Sequence, residues 1–228
     1  MKRSTNHLFF DLDHTLWDFE RNSDLAFKAV FQQHRIALPV ATFLRHYKPI
    51  NQQYWKQYRE EKVSKEALRY GRLKDSFDSA GLSVSDALIH QLAIDYIEVL
   101  PTYNYLFEGS HELLTYLQPK YRLHIITNGF EEVQHLKIAK AGLAPYFDQV
   151  ITSEAAGVKK PHPEIFRYAL EKAGALASES LMIGDNWEAD VMGALAYGMD
   201  AIYFNQSKHP VGEPIKSVQQ LAAIKAYL

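Results

Sequence analysis

The sequence predicts an α/β protein in which a doubly wound parallel sheet is interrupted by an inserted four-helix bundle. Residues His7 to Phe10 form an apolar run without polar alternation, which is typical of a strand covered on both faces of a sheet. From Asp18 to Pro101 the apolar residues recur at helical spacing, and β-branched runs are scarce. From about Gly109 onward, helix-like and strand-like segments alternate, which favours a parallel sheet with right-handed crossovers and helices on both faces.

These patterns divide the chain into two predicted domains. The first strand is distant in sequence from the other strands, so we predict that residues 1–16 and 108–228 form one sheet domain. Residues 17–107 are predicted to form the helical insert. With 228 residues and 47% hydrophobic side chains, the chain is long enough for a good core and a second, smaller domain.

Each of the four helices predicted in the insert has apolar side chains on one face, and together they favour a small bundle. Polar caps, glycine and proline set their expected boundaries. These are an N-cap at Asn22 or Ser23 for the first helix, a kink or split at Pro49 in the second, an N-cap at Ser64 and a stop at Gly81 for the third, and a start at Ser83 or Ser85 with an end before Pro101 for the fourth.

In the sheet domain, strands and helices alternate in the order of a Rossmann-like fold. The predicted strands after the first are Arg122–Thr127, Gln149–Ser153, Ser180–Gly184 and Ala201–Phe204. The predicted helices are Ser110–Gln118, Glu131–Ala141, Pro163–Ala173, Ala189–Tyr197 and a last one at about Ser217–Leu228.

Composition narrows the possible functions. There is no cysteine, which excludes disulfides, thiolate nucleophiles and cysteine-based zinc sites. The net charge is −2 and no basic stripe is present, so we expect no nucleic-acid polymer as a partner. The apolar run after Lys2 and Arg3 is too short for a signal peptide, and no run reaches membrane-spanning length. We therefore expect a cytoplasmic protein without a membrane partner, either a monomer or a homodimer.

Polar side chains follow the predicted strands at their carboxyl ends, where open parallel sheets bind ligands. Asp11 and Asp13 follow the first strand, and their spacing puts both side chains on one side of an extended chain. The other candidates are Thr127 and Asn128, Lys160 in a loop, and Asp185 with Asp190. Acids, a hydroxyl and a lysine at one edge indicate a site for a divalent cation and a phosphate. Taken singly, each segment also fits a turn, a helix cap or a solvated loop.

These residue types permit phosphate-ester hydrolysis with Mg²⁺ as the cofactor. Mg²⁺ prefers oxygen ligands and takes one or two carboxylates, which Asp11 and Asp185 could supply, while Asp190 could hold a metal-bound water. One acid of the Asp11 and Asp13 pair could attack phosphorus while the other shuttles the proton of the leaving alcohol. Thr127, Asn128 through its backbone N–H, and Lys160 could bind the phosphate oxygens.

Four segments of the chain, in order, resemble the four motifs of phosphatases in the haloacid dehalogenase (HAD) superfamily. The segments are Asp11-Leu12-Asp13-His14-Thr15, Thr127-Asn128-Gly129 after Ile125-Ile126, Gly157 to Phe166 around Lys160-Pro161, and Gly184 to Asp190 with two acids five apart. They cover the whole predicted sheet domain. The resemblance implies that the first strand is central, between the strands that end at Thr127 and before Asp185, and that the helical insert is the family's small cap.

The resemblance also implies a role for each site residue. Asp11 would be the nucleophile and a metal ligand. Asp13 would be the acid/base catalyst and bind the metal through its backbone carbonyl. Thr127, Asn128 and Lys160 would bind phosphate, with Lys160 also assisting catalysis. Asp185 would ligate Mg²⁺ with help from Asp190.

The substrate is less sharply indicated. Thr15-Leu16-Trp17-Asp18, Asn51 to Tyr58 and Leu68-Arg69 with Arg72 resemble segments of the pyrimidine 5′-nucleotidase group, which predicts a small phosphorylated metabolite, a nucleotide, as substrate. A base could stack on Tyr54, Trp55 or Tyr58 and meet Arg69 or Arg72, although aromatic residues at helical spacing also suit a bundle interior. The alternatives are another small phosphate ester, such as a sugar phosphate or phosphoglycolate, and a phosphate-binding protein without activity.

Overall fold

The computed structural model describes residues 5–212 and 214–228, and a six-stranded parallel sheet forms its core. The strands are β1 (His7–Phe10), β2 (Arg122–Thr127), β3 (Gln149–Thr152), β4 (Ser180–Gly184), β5 (Asp200–Phe204) and β6 (Lys216–Val218). Their order in the sheet is β3-β2-β1-β4-β5-β6, so β1 lies between β2 and β4, as predicted. The predicted doubly wound α/β fold is confirmed.

The register of the three central strands places their carboxyl ends at one edge. Phe10, the last residue of β1, is paired with Ile125 of β2 and Ile183 of β4. The residues that come one or two positions after this paired row in each strand therefore lie at the same edge of the sheet. All four residues of β1 are buried, in agreement with an apolar run that is covered on both faces.

Nine α-helices lie in the described part of the chain. They are α1 (Phe19–Gln33), α2 (Val40–Arg59), α3 (Lys65–Ser79), α4 (Asp86–Val99), α5 (Ser110–Leu117), α6 (Glu131–Lys140), α7 (Ser153–Ala156), α8 (Pro163–Ala173) and α9 (Gly193–Tyr197). Most of the boundaries predicted for the sheet domain agree with the structure to within one residue.

The predicted last helix, Ser217–Leu228, is wrong. This segment begins inside β6, which pairs with β5, and then forms a 3₁₀ turn at Leu221–Tyr227. The sequence pattern of this segment also suits an α-helix, because Leu221 and Ile224, which are buried, are spaced as on a helix. Pairing with β6 satisfies backbone groups of β5 that would otherwise form an open edge.

The predicted helix Ala189–Tyr197 is also wrong in its first half. A π-helical turn, Trp187–Met192, precedes α9. Asn186 caps this turn, since its Oδ1 accepts a hydrogen bond from the N–H of Ala189 at 2.9 Å. Sequence spacing distinguishes poorly between an α-helix and one wide turn, because both bury residues on one side.

The chain divides into two compact units, one formed by the residues up to Phe19 together with Asn104–Leu228, and the other by Glu20–Tyr103. The sequence predicts a hydrolase core formed by residues 1–16 and 108–228 and a cap formed by residues 17–107. The assignment of these two roles to the two units stays a prediction. No helix in the described ranges is long and apolar enough to cross a membrane.

The unit Glu20–Tyr103 contains most of α1 and all of α2, α3 and α4. Two predicted caps are confirmed: Ser64 accepts a hydrogen bond from the N–H of Ala67 at 3.1 Å, and Ser85 accepts one from Leu88 at 3.3 Å. Pro49 lies inside α2, and the helix continues on both sides of it.

The predicted cap at Asn22 or Ser23 is wrong, because α1 begins earlier, at Phe19. Both residues are buried within the helix. The hydroxyl of Ser23 lies 2.8 Å from the hydroxyl of Tyr96 and forms a hydrogen bond with it. A polar residue that is satisfied in the interior has the same sequence signature as one that caps a helix.

Two histidines on the central strands form a buried pair. Nδ1 of His7 lies 3.0 Å from Nε2 of His124, and the two rings stack with centroids 5.3 Å apart. His124 also stacks on Phe9 at 4.7 Å and is 1% exposed. Burial lowers the pKa of His7 and lowers the pKa of His124 to about 4.

The stability of the protein is expected to fall as the pH drops from 6.5 towards 4. The unfolded chain takes up protons on both histidines near pH 6.5, whereas the folded chain resists this, so acid favours unfolding. We expect His124 to account for about 2 kcal/mol of this loss, after allowance for partial solvent screening. Urea unfolding at several pH values would measure the effect.

The matched variants are His124→Phe, which keeps a ring against Phe9, and His90→Phe, which changes an exposed histidine of α4. His124→Phe should flatten the dependence of unfolding free energy on pH, and His90→Phe should leave it unchanged. Parallel curves for the wild type and His124→Phe would contradict the assignment to this pair.

Candidate active site

The predicted site residues collect at the carboxyl edge of the sheet. Asp11 directly follows β1, is 8% exposed, and its backbone N–H donates to the carbonyl of Ile183 at 2.9 Å. Thr127 is the last residue of β2, and Asp185 directly follows β4. Neighbouring parallel strands that end together bring these three side chains to one edge.

Lys160 is a buried cation between two of the predicted acids. Its Nζ donates to Oδ1 of Asp11 at 2.7 Å and to the carbonyl of Ile126 at 2.6 Å, and it lies 2.6 Å from Oδ1 of Asp190. Burial alone would lower the pKa of Lys160, but Asp11 and Asp190 raise it, and the net shift is upward. The ammonium group is therefore kept charged between the two carboxylates.

The π-helical turn places Asp190. The N–H of Val191 donates to the carbonyl of Asn186, five residues earlier, at 3.3 Å, as a π-turn requires. The N–H of Asn186 in turn donates to Oδ2 of Asp190 at 2.9 Å. A Cβ atom at Gly184 would lie 2.3 Å from Oδ2 of Asp190, so a larger residue there would displace this carboxylate.

Asp11, Asp185 and Asp190 form a cluster that fits a divalent cation. Each offers one carboxylate oxygen, and these oxygens all lie within 4.8 Å of one another. Hard carboxylate oxygens at one point are the donor set that Mg²⁺ prefers. All three residues were predicted from the sequence as candidates for a metal site.

The protonation of this cluster also fits a cation. Burial and, after it, the negative charge of Asp190 raise the pKa of Asp185 to about 8. Burial is also the main cause that raises the pKa of Asp11, against the opposing effect of Lys160. A divalent cation among the three oxygens would favour the ionised form of both carboxyls.

The loop that carries Lys160 is held by Asn128. Nδ2 of Asn128 donates to the carbonyl of Lys160 at 2.9 Å, and its Oδ1 accepts the N–H of Lys160 at 2.8 Å. The Asn128 side chain thus acts on the position of the lysine. The phosphate contact predicted for Asn128 uses its backbone N–H and stays a prediction.

The carboxylate of Asp13 has two partners that were not among the predicted site residues. Its Oδ1 accepts a hydrogen bond from Nζ of Lys137 at 2.7 Å, and its Oδ2 accepts one from Nε2 of Gln134 at 2.9 Å. Nε2 of Gln134 also lies 2.7 Å from Oγ1 of Thr127 and donates to it. The Asp13 carboxylate is not one of the three that form the metal cluster, and its predicted backbone contact with a metal stays a prediction.

The sequence contains an indication that Gln134 and Lys137 have specific partners. The buried residues of α6 are Val133, Gln134, Lys137 and Ile138. Two polar side chains, Gln134 and Lys137, therefore lie on the face that is expected to be apolar. Buried polar residues are normally bonded to a specific partner. The helical pattern alone does not name that partner, because Asp13 is more than one hundred residues away in sequence.

Some of the residues considered for base recognition have partners within the helical unit. Arg72 is 2% exposed, donates from Nη1 to Oδ1 of Asn51 at 3.0 Å, and lies over the ring of Tyr96 at 5.3 Å. The hydroxyl of Tyr54 donates to Asp75 at 2.7 Å. For Arg72 the structure favours the alternative, a place in the bundle interior.

Comparison with known proteins yields one matching family model and many relatives. The model described as haloacid dehalogenase-like hydrolase matches residues 5–198. The HAD-hydrolase YfnB of Bacillus subtilis is 31% identical over 204 residues, which are 89% of this chain and 85% of that protein. A crystal structure of YfnB bound to magnesium has a TM-score of 0.89 and 28% sequence identity, with 99% of each chain covered.

Several relatives carry the names of specific phosphatases. The pyrimidine 5′-nucleotidase PynA of Streptococcus pneumoniae is 32% identical over 200 residues, 87% of this chain and 83% of that protein. A glyceraldehyde 3-phosphate phosphatase of Pyrococcus abyssi is also 32% identical, over 203 residues, 88% of this chain and 82% of that protein. The two relatives have the same sequence identity to this chain and cover similar shares of it. Sequence identity alone therefore does not indicate which of their two substrates this chain uses.

Proposed function

This chain belongs to the haloacid dehalogenase-like hydrolase family, and we propose that it hydrolyses nucleoside 5′-monophosphates, pyrimidine nucleotides above all, through an aspartyl-phosphate intermediate. At the level of reaction class, it is a phosphoric monoester hydrolase with Mg²⁺ as its cofactor. The residue roles, the substrate and the identity of the helical unit are our proposals.

One observation carries the proposed mechanism: the two acids that follow β1 have different cationic partners. Asp11 is buried against Lys160 and lies in the cluster with Asp185 and Asp190. Asp13 is instead held by Lys137 and keeps 20% of its side chain exposed. Two acids with such different surroundings suit two different roles, one as nucleophile and one as proton carrier.

In the first step, an oxygen of Asp11 attacks phosphorus and forms an acyl phosphate while the bond from phosphorus to the leaving oxygen breaks. The carboxyl of Asp13 gives its proton to that oxygen, so the leaving group departs as a neutral alcohol. The Lys160 ammonium, hydrogen-bonded to Asp11, balances negative charge that gathers on the transferring group.

In the second step, water attacks phosphorus and the bond to Asp11 breaks, which releases inorganic phosphate. The carboxylate of Asp13 takes a proton from this water and is ready to act as an acid again. The Thr127 hydroxyl and the backbone N–H of Asn128 bind the phosphoryl oxygens through both steps.

The carboxylates of Asp11, Asp185 and Asp190, with the backbone carbonyl of Asp13, are the proposed metal-binding groups. When bound, Mg²⁺ supplies positive charge that polarises the phosphate and screens it from Asp11. The short distances among the three carboxylate oxygens support this assignment, and the magnesium in the YfnB structure agrees with it.

We propose that the helical unit Glu20–Tyr103 is the cap that selects the group attached to phosphate. The residues at the sheet edge are matched to phosphate and cation only, so discrimination among esters must come from other side chains. The match to PynA extends over 87% of this chain, which supports a nucleotide as that ester. The similar match to the glyceraldehyde 3-phosphate phosphatase supports the second candidate, a sugar phosphate.

A substrate panel tests this proposal. With Mg²⁺ present, phosphate release should be measured from uridine, cytidine, adenosine and guanosine 5′-monophosphates, glyceraldehyde 3-phosphate, phosphoglycolate and p-nitrophenyl phosphate. We expect kcat/KM for the pyrimidine nucleotides to exceed the others by about tenfold or more, which is about 1.4 kcal/mol of differential transition-state binding. If glyceraldehyde 3-phosphate ranks first, the nucleotide assignment is wrong and the phosphatase assignment remains.

A further inference from the structure

We propose that α6 carries two positioning residues, Lys137 and Gln134, which fix the Asp13 carboxyl for proton transfer and make the Thr127 hydroxyl a donor to the phosphoryl group. This inference rests on the roles proposed above for Asp13 and Thr127. Residues three apart on a helix lie on the same face, so α6 presents both side chains together.

Lys137 is itself buried and in contact with two side chains. Its side chain is 3% exposed, its Nζ lies 2.7 Å from Oδ1 of Asp13, and the same atom lies 4.3 Å from the centre of the Trp17 ring. Trp17 is fully buried and lies in the turn that follows β1. The ammonium is thus fixed between an aromatic face and a carboxylate, and both of these groups attract a cation.

Both oxygens of the Asp13 carboxylate are hydrogen-bonded to α6. Lys137 binds one carboxyl oxygen and Gln134 binds the other, at 2.7 and 2.9 Å. A carboxyl group has about four acceptor positions, so these two bonds leave room for the proton that it carries during the reaction. A proton donor contributes to catalysis only when it is held within hydrogen-bond reach of the leaving oxygen.

Gln134 also determines whether the Thr127 hydroxyl acts as a hydrogen-bond donor or acceptor towards the phosphoryl group. Oγ1 of Thr127 accepts one hydrogen bond from Nε2 of Gln134 at 2.7 Å and one from the N–H of Gly129 at 3.1 Å. A hydroxyl has two acceptor positions and one donor proton. With both acceptor positions taken, the Thr127 hydroxyl can form a further bond only as a donor, and phosphoryl oxygens are acceptors.

A close approach supports this arrangement. A Cβ atom at Gly129 would lie 2.4 Å from Cδ of Gln134, so the second motif has space for the Gln134 amide only because residue 129 is glycine. The same amide links Asp13 to Thr127, and therefore the proton carrier to the phosphate-binding hydroxyl. Neither Gln134 nor Lys137 need touch the substrate to act in this way.

The test for Lys137 compares two esters that differ in how much they need a proton. p-Nitrophenolate leaves readily without protonation, whereas the alkoxide of benzyl phosphate does not. In Lys137→Met we expect kcat/KM for benzyl phosphate to fall about 30-fold and that for p-nitrophenyl phosphate less than about threefold. The ratio kcat/KM reports the steps up to release of the alcohol, where Asp13 acts as the acid.

Two further variants separate this role from a structural one. Lys137→Arg keeps the charge and should recover most of the activity on benzyl phosphate. Lys140→Met changes an exposed lysine of the same helix and should behave as the wild type. An equal loss on both esters in Lys137→Met would overturn the role of Lys137, even if Lys137→Arg were active.

Gln134→Met gives a second, independent test, with inorganic phosphate as the probe. Loss of the bond to Thr127 should weaken inhibition by phosphate about tenfold, because the hydroxyl is no longer kept as a donor. Unchanged inhibition would overturn the role of Gln134. If the wild type hydrolyses neither ester with Mg²⁺, the proposed function itself fails, and that result is distinct from both.

Discussion

Asp11→Asn is expected to abolish phosphatase activity, with a loss of about 10⁴-fold or more in kcat. The amide that replaces the carboxylate is a poor nucleophile, so the acyl-phosphate step has no substitute within the site. The contacts around this residue indicate that the substitution should leave the fold intact. Asn can still accept the hydrogen bond from Lys160, and Lys160 keeps its contacts with Asp190 and the carbonyl of Ile126.

The measurement is Mg²⁺-dependent hydrolysis of p-nitrophenyl phosphate, with thermal unfolding as a check on the fold. Asp148→Asn is a suitable control, because Asp148 is an acid that pairs with Arg122 at the start of β2, away from the carboxyl edge. Chelation of Mg²⁺ should abolish wild-type activity as well. Full activity in Asp11→Asn, or after chelation, would show that the proposed mechanism is wrong.

The metal cluster could be anticipated because it depends on topology and strand ends. An apolar run followed by acids defines both a buried strand and the edge at which its ligands lie. The resemblance to the family implies that β1 is central and next to the strand before Asp185, which would bring Asp11 and Asp185 close together, and the structure pairs Phe10 with Ile183 accordingly. The positions of these residues can be predicted because the buried pattern specifies the register of the strands, and because the carboxyl ends of parallel strands lie at one edge of the sheet.

The supporting contacts could not be anticipated in the same way. The hydrogen bonds from Gln134 and Lys137 to Asp13 join residues that are far apart in sequence. The spacing of apolar residues does not predict the direction in which these polar side chains point. The π-turn at Trp187–Met192 has the same limitation, because its polar and apolar spacing also suits an ordinary helix start. The strand β6 was missed because three residues are too few to show a period.

Lys160→Met is expected to reduce kcat about 10³-fold and, without Mg²⁺, to destabilise the protein by about 3 kcal/mol. Lys160 is a buried cation that lies within 2.7 Å of carboxylate oxygens of both Asp11 and Asp190. Its removal leaves buried carboxylates without a compensating charge, which costs much more than the loss of an exposed ion pair.

The dependence of this stability on Mg²⁺ distinguishes electrostatic compensation from simple loss of packing. A methionine side chain fills a similar volume, so the remaining defect is mainly the uncompensated charge of the acidic cluster. Because a divalent cation held by Asp11, Asp185 and Asp190 would supply positive charge at the same place, Mg²⁺ should raise the Tm of Lys160→Met more than that of the wild type. Lys159→Met, at the adjacent lysine, should show the wild-type response. Equal increases in Tm for Lys160→Met and the wild type would mean that Lys160 and the cation do not balance the same carboxylates, and the metal assignment would then need different ligands.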